Sequence, residues 1–225
     1  MTYSIIQAVT NNYDKIYDCL DMTADARILF TDQHQSVKNW EQRIIVPTPN
    51  CPWEDIFQLR WNPFDYVKTD YAIWIDGSIK INGSLKNYIQ QMEETQCCFA
   101  TLQHPRRNNI WDEYLEWIHT RNYPKGKAFL WMAYMEKNGW KPTNAGLFQV
   151  NVCIFKNTPI VKSFSHDVWE MLHLFDHEHA ERLDQTVATY VYKHKYNNTL
   201  KLMLLSDAIY QRGMSLVHHG NHPNK

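Results

Sequence analysis

A chain of 225 residues is long enough for one domain with a sizeable core, and a formal net charge of −1 with pI near 6.8 gives no global signal for nucleic acid or an anionic membrane, leaving room for a local basic groove. The five cysteines are odd in number and no pair has Cys-x-x-Cys spacing, which argues against a disulfide framework or a zinc site and for reduced thiols in a cytosol. The 9 Trp, 13 Tyr and 9 Phe suit either a dense core or a pocket that stacks rings.

The first residues carry no basic and long apolar leader pattern, and no apolar run approaches the ~20 residues of a membrane helix. The expectation is a soluble, cytoplasmic protein. Short apolar runs at residues 4–9, 27–30, 43–46 and 71–75 have strand length. Between the first two, Tyr13, Ile16, Tyr17 and Leu20 stand at helical spacing and predict a helix over residues 12–22. That β-α-β alternation predicts an α/β fold with a mostly parallel sheet flanked by helices. Pro47, Pro49 and Pro52 predict a break after the third run. Further on, the pattern predicts helices over 85–94, 110–120, 127–137, 167–175 and 182–192. It predicts strands over 98–102, 147–155 and 200–205. Residues 1–215 read as a single domain and residues 216–225 as a polar tail.

The most informative segment is Tyr71-Ala-Ile-Trp-Ile-Asp-Gly-Ser78, an apolar strand that ends on Asp76 and Gly77. In an open α/β sheet, ligands bind outside the carboxyl ends of the strands. Asp76 is therefore a candidate oxygen ligand for Mg²⁺ or Mn²⁺ beside a diphosphate, the alternative being a plain Asp-Gly turn. The first strand likewise runs into a polar loop, in which Thr10, Asn11 and Asn12 can bond a base or ribose and Tyr13 can stack, unless Asn12 is only a helix cap. The second strand ends on Asp32. There is no Gly-x-Gly-x-x-Gly, so a dinucleotide fold is not supported.

After the strand at 98–102 comes His104-Pro-Arg-Arg-Asn-Asn109, where Arg106 and Arg107 can clamp phosphate or form a solvated basic loop. Asp112 and Glu113 begin a helix and favour its dipole. Asp184, at the start of another helix, is a candidate general base or a first-turn carboxylate. His173-Leu-Phe-Asp-His-Glu-His179 has the composition of a metal cluster but not the order of a zinc hydrolase.

Taken in order, Ile5 to Asp14, Leu29-Phe-Thr-Asp32, Arg60-Trp-Asn-Pro63, Tyr71 to Ser78, His104-Pro-Arg-Arg107 with Glu113, and Arg182-Leu-Asp-Gln185 resemble a family of glycosyltransferases. That family is a former domain of unknown function with plant members linked to pectin or mucilage synthesis and shorter bacterial relatives. The resemblance covers roughly residues 4 to 194. It implies a GT-A-like (Rossmann-like) fold, a nucleotide-sugar donor, a hydroxyl acceptor and a Mn²⁺ or Mg²⁺ cofactor. The residues implied on the donor side are Thr10, Asn11, Asn12, Tyr13, Asp14, Asp32, Arg60, Asp76, Gly77 and Ser78. Asp184, Arg107 and His104 are implied in catalysis, and Glu113 and Gln185 at the acceptor. The metal is implied on Asp76 and a tail histidine, His219, with His218 as the other candidate.

This sequence departs from the GT-A Asp-x-Asp at Ser78, where the second carboxylate is missing, and from the family's Arg-Asp-Gln by the insertion of Leu183. Inverting and retaining chemistry stay equally open. The expected acceptor is a cytosolic surface-glycan or lipid-linked precursor. One alternative is a hydroxymethylated base in phage DNA, gripped by Arg106, Arg107 and Lys193-His-Lys195. Another is a non-catalytic domain that binds a nucleotide sugar or glycan.

Overall fold

The computed structural model describes residues 1–49, 51–141, 143–176, 181–206 and 214–216, with the backbone alone at 52 and 214–216. In chain order the strands are β1 (Tyr3–Val9), β2 (Ala26–Thr31), β3 (Glu41–Ile44), β4 (Tyr71–Asp76), β5 (Ile79–Ile81), β6 (Phe99–Gln103), β7 (Phe148–Lys156), β8 (Leu202–Leu205) and β9 (Met214–Leu216). The helices are α1 (Pro52–Trp61), α2 (Lys86–Thr95), α3 (Ile110–Thr120), α4 (Lys125–Lys137), α5 (Pro159–Leu172) and α6 (Asp184–Val191).

Seven strands form one sheet in the order β3-β2-β1-β4-β7-β6-β8. All neighbours run parallel except β7, which is antiparallel to both β4 and β6. The sheet is therefore mostly parallel, as the alternation of elements predicted. β5 and β9 make a separate antiparallel ribbon, with Ile79 opposite Leu216.

Strand β1 and the first five residues of β4 are buried throughout, as strands covered on both faces must be. The two-residue period divides β4 cleanly. Ala72 and Trp74 join a core with α1, α3, α4, α5 and α6, while Tyr71, Ile73 and Ile75 join a second core with α2 and β5. Asp76 follows Trp74 by two residues and so belongs to the face that α1 covers. Among the described residues, no helix is long and apolar enough to cross a membrane.

Three sequence expectations need correction. Residues 12–22 form no helix. Asn11 and Asn12 both take positive φ, 55° and 50°, which bars entry into a right-handed helix. The segment instead lies as a strap whose backbone bonds go outward. Trp40 Nε1 donates to the Tyr17 carbonyl (2.8 Å), Asn39 Nδ2 to the Cys19 carbonyl (2.9 Å), and Leu20 N to the Ile81 carbonyl (3.2 Å). The proline-rich stretch does not only break the chain. Pro52 opens α1, where its missing N–H costs nothing, and Glu54 and Asp55 complement the helix dipole in the first turn. Finally, α5 begins at Pro159, earlier than its apolar spacing suggested, and ends at Leu172.

Candidate active site at the carboxyl edge of the central strands

β1 pairs with β2 and β4 in register, Val9 opposite Thr31 and Ala8 opposite Asp76, so the loops leaving all three strands emerge side by side. The first loop is a tight turn, with Tyr13 N donating to the Thr10 carbonyl (3.0 Å). Asp32 Oδ2 accepts from Asn11 N (2.8 Å), and Gln33 Nε2 donates to Asn12 Oδ1. The other Asp32 oxygen, Oδ1, is buried and has no hydrogen-bond donor among the described residues. A buried carboxylate oxygen of this kind is costly unless a donor arrives to meet it.

Gly77 is needed for close approach rather than for its torsions. A Cβ there would lie 2.4 Å from Val9 Cγ2 and 3.1 Å from Asp14 Oδ2, so the Asp14 carboxylate lies against the Asp76-Gly77 turn. Gln7 staples that turn from below, its Nε2 donating to the carbonyls of Asp76 (3.0 Å) and Ile79 (3.2 Å). Thr10 is buried and Tyr13 exposed.

The Asp76 side chain does not serve the turn. Arg60, from the last turn of α1, donates from Nη2 to Asp76 Oδ1 (2.5 Å) and from Nη1 to Asp184 Oδ2. Trp74 Nε1 adds a bond to Asp76 Oδ1 (2.8 Å), and Trp61 Nε1 one to Asp184 Oδ2 (3.2 Å). The guanidinium also lies 5.1 Å from the Trp74 ring centroid and 5.4 Å from that of Phe57. Arg60 and Asp184 are buried, whereas the Asp76 side chain is 31% exposed and forms the open end.

Burial works against the Arg60 charge, but Asp184 and Asp76 outweigh it and hold the guanidinium charged. Burial pushes the Asp184 carboxyl above its usual range, Arg60 pulls it back, and Asp76 adds a further upward push. Two carboxylates on one arginine leave the group one negative charge in excess.

A second hub stands one residue along. Glu113, fully buried, takes Arg107 Nε on Oε2, and on Oε1 it takes Trp117 Nε1 (2.7 Å) and Gln185 Nε2 (2.5 Å). Its place in the first turn of α3, capped by Asn109 on Trp111 N (2.8 Å), is thus not its whole role. His104 Nδ1 accepts from the backbone N–H groups of Arg107 (2.9 Å) and Arg106 (3.3 Å), and its Nε2 lies 3.1 Å from Arg107 Nη2. Burial, then the charges of Arg107 and Arg106, push the imidazole down to about 4, so it is neutral near pH 7.

Asp184 and Gln185 are neighbours at the start of α6, and through them the two hubs become one constellation. Trp61, Trp74 and Trp117 belong to it although sequence reasoning singled out none of them. The available signals were local: Trp74 precedes Asp76 by two on a strand, and Trp117 follows Glu113 by four on a helix.

Some expected residues do not join. His173 caps the end of α5, its Nδ1 3.0 Å from the Trp169 carbonyl and its Nε2 2.7 Å from Glu54 Oε1. His177, Glu178 and His179 lie outside the described residues, as do His218, His219 and His222. Among the described residues, no three His, Cys, Asp or Glu side chains stand together as a metal site. Asp76 does supply a hard, partly exposed carboxylate whose Oδ2 is not engaged by the described residues, which suits Mg²⁺ or Mn²⁺.

No family model matches this chain, and no curated protein sequence matches it. A solved structure does: mouse xyloside xylosyltransferase 1 in its apo form superposes with a TM-score of 0.50 over 92% of this chain and 85% of that one, at 9% sequence identity. At that identity the likeness speaks for the fold alone, a GT-A-like, mostly parallel sheet flanked by helices.

Proposed function

We propose that this chain transfers a sugar from a nucleotide-sugar donor to a hydroxyl acceptor. The observation that carries the reading is the Asp76–Arg60–Asp184 bridge, which gathers three distant segments at the carboxyl edge of a GT-A-like sheet. The donor nucleoside lies over the β1 and β2 loops. There the buried Asp32 Oδ1 accepts an N–H or O–H from the base or ribose, Thr10, Asn11 and Asn12 bond its rim, and Tyr13 stacks. The diphosphate lies along Asp76-Gly77-Ser78 with Asp14 beside it, and Arg60 holds Asp76 in a single orientation.

A divalent cation on Asp76, Mn²⁺ or Mg²⁺, supplies positive charge for the leaving diphosphate when bound. His219, in the tail, is its proposed second ligand. Asp184, raised by burial, accepts the acceptor hydroxyl proton, and Gln185 and Glu113 orient that acceptor. Arg107, 23% exposed, meets negative charge as it develops, and neutral His104 shapes the same wall.

One observation favours a DNA acceptor as a second reading. Gly146 N donates to the Asn108 carbonyl (2.7 Å), and the Lys193 ammonium lies 3.0 Å from where a Gly146 Cβ would stand. Lys193 therefore sits beside the loop that carries Arg106 and Arg107, as a basic groove for nucleic acid requires. Affinity for double-stranded DNA that falls steeply with salt separates this reading from a glycan or lipid-linked acceptor.

The test is a thermal-shift panel of nucleoside diphosphates with Mn²⁺ or with chelator, followed by hydrolysis of the matching nucleotide sugar. One nucleotide should stabilise the wild type and do so at least tenfold more weakly in Asp32→Ala. A panel without any shift contradicts the donor site, and binding without turnover in any acceptor mixture leaves a nucleotide-sugar binding domain.

A further inference from the structure

Arg182 is not used by the chemistry above, yet its surroundings are more ordered than those of an ordinary surface arginine. On one side of it in the chain, Glu181 is buried and anchored. The Tyr123 hydroxyl donates to Glu181 Oε1 (2.6 Å), Lys127 Nζ lies 3.5 Å from Oε2, and Glu181 N donates to the Leu172 carbonyl (2.7 Å). On the other side, Leu183 is buried, and its N–H returns to Glu181 Oε1 (3.1 Å). The backbone on both sides is thereby fixed, and only the Arg182 side chain faces out.

That side chain is itself clamped. Its Cζ lies 5.5 Å from the Trp53 ring centroid and 5.2 Å from that of Trp117. The Trp117 indole is pinned by its bond to Glu113, the same carboxylate that takes Gln185 and Arg107. Three elements, α1, α3 and the lead into α6, thus meet around one exposed guanidinium two residues from Asp184. Arg182 has no hydrogen bond or ion pair among the described residues, so its N–H edge faces solvent. A guanidinium stacked on aromatic faces loses little freedom when it binds, and its fork matches an oxyanion in two-point contact.

We infer that Arg182, held between Trp53 and Trp117, reads an oxyanion on the acceptor, which makes the preferred acceptor an anionic saccharide. The inference rests on the glycosyl-transfer reading for the word acceptor, but the anion subsite itself does not. A carboxylate on a sugar ring and a sugar phosphate share the required chemistry. The indole faces beside the guanidinium suit the apolar face of the ring that carries it.

Intrinsic tryptophan fluorescence of the full chain reads the site directly. Glucuronic acid, glucose and inorganic phosphate are titrated separately against wild type, Arg182→Lys and Arg182→Gln, and the same samples are tested for the nucleoside diphosphate shift. Glucuronic acid or phosphate should perturb the wild type at least tenfold below the glucose concentration needed for an equal effect. The stronger of the two identifies carboxylate or phosphate as the source. Arg182→Gln should lose that preference and Arg182→Lys retain part of it, with the nucleotide shift unchanged in both. Equal responses to glucose and glucuronic acid, or an anion response that persists in Arg182→Gln, overturn the subsite while leaving the donor reading intact. An Arg182-dependent anion response in a protein that binds no nucleotide sinks the transferase reading and keeps the subsite.

Discussion

The two arginine–carboxylate hubs use the same chemistry to different ends. In the first, one buried arginine serves two acids, so an excess negative charge stands at the strand edge, and among these three side chains Asp76 is the one that reaches solvent. In the second, a fully buried acid takes a partly exposed arginine together with the neutral donors Trp117 and Gln185, and the exposed Glu116 stands 4.0 Å from Nη1 of the same arginine. The first suits a cation beside a diphosphate, because its surplus charge has to be met. The second keeps its close acid buried and its arginine partly open, which suits an incoming or developing anion. The contrast teaches that which partner is buried and which stays open separates two hubs that the residue types alone do not.

The sharpest way to break the comparison is Arg60→Met. It leaves Asp76 and Asp184 facing each other with one of them buried, and stability in urea should fall by about 3–5 kcal/mol. Arg60→Lys should recover part of this, because it keeps the charge but not the two-sided fork. Arg107→Met should cost less, about 1–3 kcal/mol, because Trp117 and Gln185 still hold Glu113 Oε1 and only Oε2 loses its donor. If the two losses are equal, the hubs do not differ in the way described.

Gly77→Ala probes the turn beside the first hub. The new Cβ must displace Val9, at a cost of about 1–3 kcal/mol, and nucleotide binding should weaken alongside the drop in melting temperature.

The smallest expected effect is on pH. Folding lowers the His104 pKa from its ordinary 6.5 to about 4, so the folded state binds fewer protons across that interval. The stabilisation is fully present above pH 6.5 and is lost as pH falls toward 4, by about 1 kcal/mol after allowance for solvent screening. His104→Gln should flatten that part of the pH–stability profile, and an unchanged slope assigns the acid sensitivity to other groups.

What was legible in the sequence was what depends on near neighbours. The apolar run that ends at Asp76, the second strand that ends near Asp32 and the α/β alternation all follow from local pattern, and the sheet has the mostly parallel form they imply. The strap over residues 12–22 defeated the same logic. Its helical spacing is real, but two asparagines at positive φ and the bonds to Trp40, Asn39 and β5 outweigh it. The bridge from Arg60 to Asp184, 124 residues apart, is a product of tertiary packing that no local window contains. Glu113 looked like a helix-dipole acid because sequence position says nothing of burial.

The measurement that tests the central claim most directly is nucleotide-sugar hydrolysis by wild type and Asp76→Asn, with both proteins verified as folded. Wild type should release nucleoside diphosphate from one nucleotide sugar, and Asp76→Asn should lose at least a hundredfold in rate while keeping its melting temperature within a few degrees. Wild-type turnover by Asp76→Asn would contradict the assignment of the donor site to the end of β4.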